Sequence, residues 1–283
     1  MSQLKITEEC AQPGTHALAL VQTQSRARAN PRPLFRAWRE IQARIRAAKE
    51  LAVLLDFDGT LVGLRRRPGD VRVPRQTKQV LESLARHANV FLAIVSGRRL
   101  RDLQTMIDVP GVHIIGLHGG EGEGRRASLS RTTRLALGRA KREARSQLGI
   151  LPGIWLEDKI LSLAVHYRGA SAAIVREGYA GLLGILAPLR GNLSIMSGEK
   201  VWEILPREIA GKGAVIQELL AGLDGETLAI YAGDDAADQA AFAAIPDQIT
   251  VQVGEKESTC ARFFVRGPAD VLRFLARLER ELR

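Results

Sequence analysis

Two hydrophobic rhythms divide this chain. Unbroken apolar runs of strand length occur at LAVLLDF (51–57), VFLAIVSGR (90–98), VHIIGLHGG (112–120), TLAIYAGDD (227–235) and ITVQVG (249–254). Such runs suit strands covered on both faces. Between and after them lie TKQVLESLARHA (77–88), LRDLQTMI (100–107), GAVIQELLAGL (213–223), ADQAAFAAI (237–245) and PADVLRFLARLERELR (268–283), whose apolar residues recur at helical spacing. The alternation predicts a parallel α/β sheet with helices on its faces, and ligands in such sheets gather at the carboxyl ends of the strands.

The rhythm changes in the middle. EGEGRRA (121–127) is expected to be a hinge-like loop. It precedes a helix (130–148), two short strands (GIWLEDK, LSLAVHYR), a second helix (171–189) and a hairpin, NLSIMSG and KVWEILP, turning at Ser197-Gly198. This repeated helix-strand-strand pattern is that of a separate α+β module spanning 122–207, splitting the α/β core into 48–121 and 208–283. Ahead of the core, 1–47 is expected to be a basic extension. ANPRPL (29–34) suggests a linker there, and LFRAWREIQARIRAAKE (34–50) an amphipathic helix packed on the neighbouring core domain.

Composition narrows the classes. The chain has 283 residues, 46% hydrophobic and 25% charged, a globular balance without an apolar run long enough to span a membrane. MSQLKITEEC lacks a signal-peptide core, and two distant cysteines give no disulfide framework, so a reducing cytoplasm is expected. The net charge is +10. Residues 1–50, with nine Lys/Arg and four acids, carry half of it. Aromatics are only 5%, too few to supply base-stacking platforms, and no nucleic-acid partner is expected.

Candidate chemistry sits at the strand ends. Asp56 and Asp58, at i and i+2 of an extended run, face one side, and Gly59-Thr60 lets the chain turn away. Two adjacent carboxylates ask for a cation or a shared proton. Nucleophile and acid/base duties beside a divalent ion supply both needs. Asp234, Asp235 and Asp238 repeat the arrangement after another buried strand. They suit Mg²⁺, although Asp234 or Asp235 equally suits a helix cap. Ser96 follows a third buried strand, where its hydroxyl fits a phosphate oxygen or an ordinary cap. Lys212, between two glycines at a helix start, opposes the helix dipole and favours a nearby anion; a solvated surface lysine is the plain alternative.

These four clusters, in this order, resemble the motifs of the haloacid dehalogenase superfamily of phosphotransferases: DFDGT, the strand-end Ser96, the glycine-flanked Lys212 and GDDxxD. The 122–207 module resembles the α/β cap of one branch. Within the superfamily the chain is most similar to the trehalose-6-phosphate phosphatases, through VSGR, GLHG, LEDKILSLAVHYR and GEKVWEILP…GKG. The resemblance implies a Rossmann-like core with an inserted cap and a Mg²⁺-dependent phosphatase acting on a small sugar phosphate.

By the same resemblance, Asp56 is the nucleophile, Asp58 the acid/base, and Ser96 and Lys212 the phosphate holders. The metal set is Asp56, Asp58, Asp234, Asp235 and Asp238. The substrate set is Gly97, Arg98, His118, Glu157, Lys159, His166, Arg168, Gly198, Lys200 and Glu203. Leu205, Ala237 and Gln239 depart from the family pattern. Two other readings stay open: a related phosphatase for sucrose phosphate or a glycosyl-phosphoglycerate, and a non-catalytic regulatory protein working through its basic N-terminal segment.

Overall fold

Leu51, Val53 and Leu55 face one way along a single strand, Ala52 and Leu54 the other, and all five are buried. The computed structural model shows why. It describes residues 30–65, 68–256 and 258–283; the segment 1–29, with Cys10, lies outside the described residues. In chain order the first elements are β1 (Arg32–Pro33), α1 (Trp38–Ala47), β2 (Leu51–Leu55), α2 (Arg75–Ala85), β3 (Val90–Val95), α3 (Leu100–Ile107) and β4 (His113–Ile115). A middle set comprises β5 (Glu121–Gly122), β6 (Arg125–Arg126), α4 (Arg131–Gln147), β7 (Trp155–Asp158), β8 (Leu163–His166), α5 (Ala172–Leu186), β9 (Leu193–Gly198) and β10 (Val201–Pro206). The last elements are α6 (Gly211–Ala221), β11 (Leu228–Gly233), α7 (Ala236–Ala244), β12 (Ile249–Val253), β13 (Phe263–Val265) and α8 (Pro268–Glu281).

Seven strands form one parallel sheet in the order β1-β13-β12-β11-β2-β3-β4. One apolar cluster joins Leu51, Val53 and Leu55 to residues of α1, α2, α3 and α8; another joins Ala52 and Leu54 to Val215, Ile216 and Phe242 of α6 and α7. The chain winds outward from β2 through β3 and β4, then returns on the other side of β2 as β11. The crevice between the carboxyl ends of β2 and β11 is therefore the switch point where ligands of open α/β sheets bind.

Four strands form a smaller antiparallel sheet, β7-β8-β10-β9, with α4 and α5 on one side. Its pleat sorts the residues. Leu163, Val165, Trp202 and Ile204 face the helices, whereas Trp155, Glu157, His166 and Glu203 alternate onto the other face. That polar face looks onto the switch point of the larger sheet.

Several local expectations change. The proline-rich stretch read as a linker forms β1, paired with β13 at the sheet edge, where a proline without an N–H is tolerated. Leu34, Trp38, Ile41 and Ile45 are buried against the core, and the Trp38 ring meets Phe274 edge-on at 6.2 Å. At roughly 1.5–3 kcal/mol for each fully buried large side chain, this helix is held on the core, the packing that its amphipathic pattern predicts. The expected loop at 121–127 is the β5–β6 hairpin. The second hairpin turns at Glu199-Lys200, two residues later than expected, because Gly198 still pairs with Val201. Ala172–Leu189, within a chain expected to hold no such segment, is long and apolar enough by composition to cross a membrane. In this fold its Gly178, Leu182, Ile185 and Leu186 are buried in the smaller module.

Candidate active site

Asp56 leaves β2 with its backbone N–H donating to Ala232 O of β11, so the pairing that closes the sheet also fixes the carboxylate. Phe57 turns into the core and returns Asp58 to the same side as Asp56. Gly59 then turns the chain at φ +81°, where a side chain would be strained and would displace the neighbouring carboxylate: a Cβ would lie 2.1 Å from Asp234 Oδ2. The glycine of DFDGT thus makes room for the carboxylate arriving from β11.

Lys212 projects from the first turn of α6 into this cluster and is almost wholly buried. Its Nζ donates to Asp56 Oδ1 at 2.6 Å and to Asp238 Oδ1 at 2.7 Å. The anion that its position at a helix start called for is therefore supplied twice. Asp238 Oδ1 also accepts from the Tyr231 hydroxyl at 2.6 Å, and its Oδ2 from Asp235 N at 2.9 Å. Asp235 returns the favour as the N-cap of α7, accepting from the N–H groups of Ala237 and Asp238.

The five aspartates expected to share a cation do not converge equally. Carboxylate oxygens of Asp56, Asp234 and Asp238 lie within 4.8 Å of one another. Asp238 has no exposure and both its oxygens are engaged, so it braces Lys212 and α7 from beneath. The Asp235 carboxylate caps α7, and the Asp58 side chain turns to Arg98. Asp56 and Asp234 remain as the pair best placed to hold an ion.

The charge balance asks for one. Burial pushes Asp56 well above the usual carboxylate range; Lys212 opposes this, while Asp238, Asp234 and Asp235 add to it. Burial, with Asp235 and Asp238, pushes Asp234 up to about 7. Burial pulls Lys212 down, but Asp238 and Asp56 outweigh it and hold the amine cationic. One ammonium among four buried or half-buried carboxylates leaves excess negative charge. Hard oxygen donors with excess negative charge, brought together because Gly59 lets Asp234 approach Asp56, fit a small divalent cation such as Mg²⁺.

The second wall begins at β3. The Ser96 hydroxyl accepts from Arg98 N at 3.2 Å, and Ser96 O accepts from His118 N at 2.9 Å. His118 has φ +54°, unusual outside glycine, and this turns its ring inward, where Gly97 must lack a side chain: a Cβ would lie 2.4 Å from His118 Nε2. Arg98 donates through Nε and NH2 to both oxygens of Asp58, at 2.5 and 2.7 Å.

The smaller sheet closes over these groups. Lys159 Nζ donates to Gly97 O and to Glu203 Oε2, each at 3.0 Å. Glu203 also accepts from Ser162 Oγ at 2.6 Å and, at 3.3 Å, from His118 Nε2. Burial alone would raise Glu203; Lys159, His118 and Ser162 hold it far below the usual range. Farther out, His166 Nε2 lies 2.9 Å from Glu157 Oε2, and Arg168 donates to Glu199 O at 3.2 Å. Lys200 sits at the hairpin tip with φ +61°.

Every catalytic, metal and substrate candidate named from the sequence lines one cavity of about 170 Å³, except Asp238, which is buried outside it. The cavity also contains Leu64, Arg65, Trp155, Glu199 and Val201, which the sequence reading passed over. For Trp155 a signal existed: it stands two residues before Glu157 in a strand, which places both on one face. Leu205, which departs from the family pattern, is buried outside the cavity. Gln239, the polar departure, donates to Gln252, which in turn donates to Asp234 O.

Comparison with known proteins agrees with this architecture. The family model described as trehalose-phosphatase matches residues 54–268. The trehalose-phosphate phosphatase of Mycobacterium tuberculosis (strain ATCC 25618 / H37Rv) is 32% identical over 250 residues, covering 83% of this chain. The chain spans 63% of that relative's length. Among solved structures, the Candida albicans trehalose-6-phosphate phosphatase C-terminal domain matches with a TM-score of 0.75 at 18% identity, covering 90% of this chain and 99% of that one. A haloacid dehalogenase-like hydrolase from Bacteroides thetaiotaomicron matches with a TM-score of 0.58 at 14% identity, covering 81% of this chain and 100% of that one. Both structural likenesses concern the fold.

Proposed function

The chain belongs to the trehalose-phosphatase family of the haloacid dehalogenase superfamily, and on that premise we propose that it hydrolyses trehalose 6-phosphate to trehalose and phosphate, as a cytoplasmic step of trehalose biosynthesis. One observation carries the reading: Asp56, Lys212 and Asp234 converge at the switch point, beneath an inserted cap tied down by Lys159 and Glu203.

In this reading an Asp56 oxygen attacks phosphorus, the bond to the sugar oxygen breaks, and an aspartyl-phosphate forms. Asp58 gives a proton to the leaving sugar oxygen and then takes one from the water that hydrolyses the acyl phosphate. Lys212 orients Asp56 and, with the Ser96 hydroxyl, meets the phosphoryl oxygens. Mg²⁺ held by Asp56 and Asp234 would supply charge neutralisation for the phosphoryl group. The cap excludes bulk water and presents Glu157, Lys159, His166, Arg168, Gly198, Lys200 and Glu203 to the sugar. Uncatalysed phosphate-monoester hydrolysis is slow enough that enhancements reach ~10²¹-fold, so positioning, counter-charge and acid must act together.

A phosphate-release assay tests this. Trehalose 6-phosphate, sucrose 6-phosphate, a glycosyl-phosphoglycerate and glucose 6-phosphate are compared with Mg²⁺ and with chelator. The account expects the highest kcat/KM for trehalose 6-phosphate and none of that turnover in chelator. Preference for another sugar phosphate replaces the substrate, and absence of any turnover removes the enzymatic reading.

A further inference from the structure

Trp155 is a large aromatic side chain left 39% exposed on the sheet face that also carries Glu157, His166 and Glu203. Exposed tryptophan forgoes the burial its size rewards, and at a cavity it marks a surface that a ligand covers. The other strongly exposed large apolar side chains of the described residues are Leu64, Leu135, Ile150, Ile160 and Leu183; of these, Leu64 alone shares the catalytic cavity with Trp155.

The indole is held rigidly. β7 and β8 pair Trp155 directly with His166. The two rings stack with centroids 3.9 Å apart and planes 5° from parallel. His166 is in turn fixed by Glu157, at 2.9 Å. One indole face is thus occupied, and the exposure falls on the opposite face and the edges. A flat apolar surface with the Glu157 carboxylate on the same face of the strand matches a pyranose, whose ring presents C–H groups on its faces and hydroxyls around its rim.

Position along the strand says which ring. Lys159, just past β7, contacts Gly97 O beside Ser96, at the phosphate end of the cavity. Trp155 lies four residues earlier, roughly 13 Å away in extended chain. We infer that Trp155, backed by His166, is a stacking platform for the sugar ring remote from the phosphate, and so contributes to selecting a disaccharide phosphate over a monosaccharide phosphate. This rests on the proposed sugar-phosphatase activity.

The test compares wild type with Trp155→Ala, Trp155→Leu and Trp155→Phe on trehalose 6-phosphate, with glucose 6-phosphate as substrate or competitive inhibitor for reference. Loss of a stacked ring predicts a KM rise of about tenfold for trehalose 6-phosphate in the Ala and Leu variants, with kcat little changed. Phe restores most of the affinity, and the constant for glucose 6-phosphate does not move. Trehalose, the product, also shifts the intrinsic fluorescence of wild type and not of Trp155→Phe, because Trp38 and Trp202 are buried. An unchanged KM in Trp155→Ala, a Leu variant as good as Phe, or equal losses with glucose 6-phosphate overturns the platform while leaving the activity standing. A wild type that turns over no sugar phosphate removes both.

Discussion

A single guanidinium, that of Arg98, holds both carboxylate oxygens of Asp58, at 2.5 and 2.7 Å. The fork points Asp58 into the cavity, yet an oxygen must be released before Asp58 can transfer a proton. Arg98 is therefore expected to govern the timing of the acid/base step as well as its geometry. Arg98→Lys keeps the charge without the fork and is predicted to lower kcat about tenfold, and Arg98→Ala more. Steady-state kinetics on trehalose 6-phosphate checks this; an unchanged kcat in Arg98→Lys removes the orienting role.

Glu203 ties the smaller sheet to the core through His118 and is an acid-sensitive contributor to stability. Its carboxyl lies below the usual range because Lys159, His118 and Ser162 outweigh the effect of burial. A carboxylate lowered on folding stabilises the fold fully above its unfolded value, near 4.3, and the contribution fades as pH falls through the folded value. Glu203→Gln should therefore melt below wild type at pH 7, with a deficit of roughly 3 kcal/mol for an unpaired buried lysine. The deficit should hold down to about pH 5 and shrink in stronger acid. Thermal melts of both proteins across this range provide the measurement, and a deficit that grows on acidification contradicts the assignment.

Lys212→Met removes a buried cation from among carboxylates. Breaking such a group costs about 3–5 kcal/mol, and turnover should vanish with it. On the proposed reading a divalent ion binds the same cluster, so Mg²⁺ should raise the melting temperature of wild type, and chelator should reverse the rise. Melting curves with and without the ion check both statements.

Gln252 reaches the carboxylate cluster from behind, at Asp234. Its Nε2 donates to Asp234 O at 3.0 Å, and its Oε1 accepts from Gln239 at 2.9 Å and Thr259 at 3.1 Å. Lys256 is a second donor to Asp234 O. Gln252→Leu is expected to raise the Mg²⁺ concentration for half-maximal activity about tenfold, the usual order for losing support behind a ligand. Direct titration with Mn²⁺, followed by magnetic resonance, separates this from a loss of folding.

Much of the larger sheet could be read from the chain because β2, β3, β11 and β12 are buried on both faces and carry uninterrupted apolar runs. α3 was expected at 100–107 and is found at Leu100–Ile107. Polar residues after those runs had to lie at one edge, since all the strands are parallel. β1 and β13 stayed hidden for a different reason. They have two and three residues, too few to show a period, and they exist only because each pairs with a distant segment. The individual duties of the aspartates were equally hidden. Spacing groups Asp234, Asp235 and Asp238, but only packing shows that Tyr231 and Lys212 occupy Asp238. Trp155 was legible from its register with Glu157; its stacking on His166 needs β8 beside it.

The central claim is that Asp56 is the nucleophile, and the most direct measurement is acid quench during turnover of trehalose 6-phosphate with Mg²⁺, followed by peptide mass spectrometry. The account predicts a transient phosphoryl group on the peptide containing Asp56, absent from a folded and inactive Asp56→Asn. Steady turnover in Asp56→Asn, or phosphate release with the phosphoryl group on another residue, would contradict it.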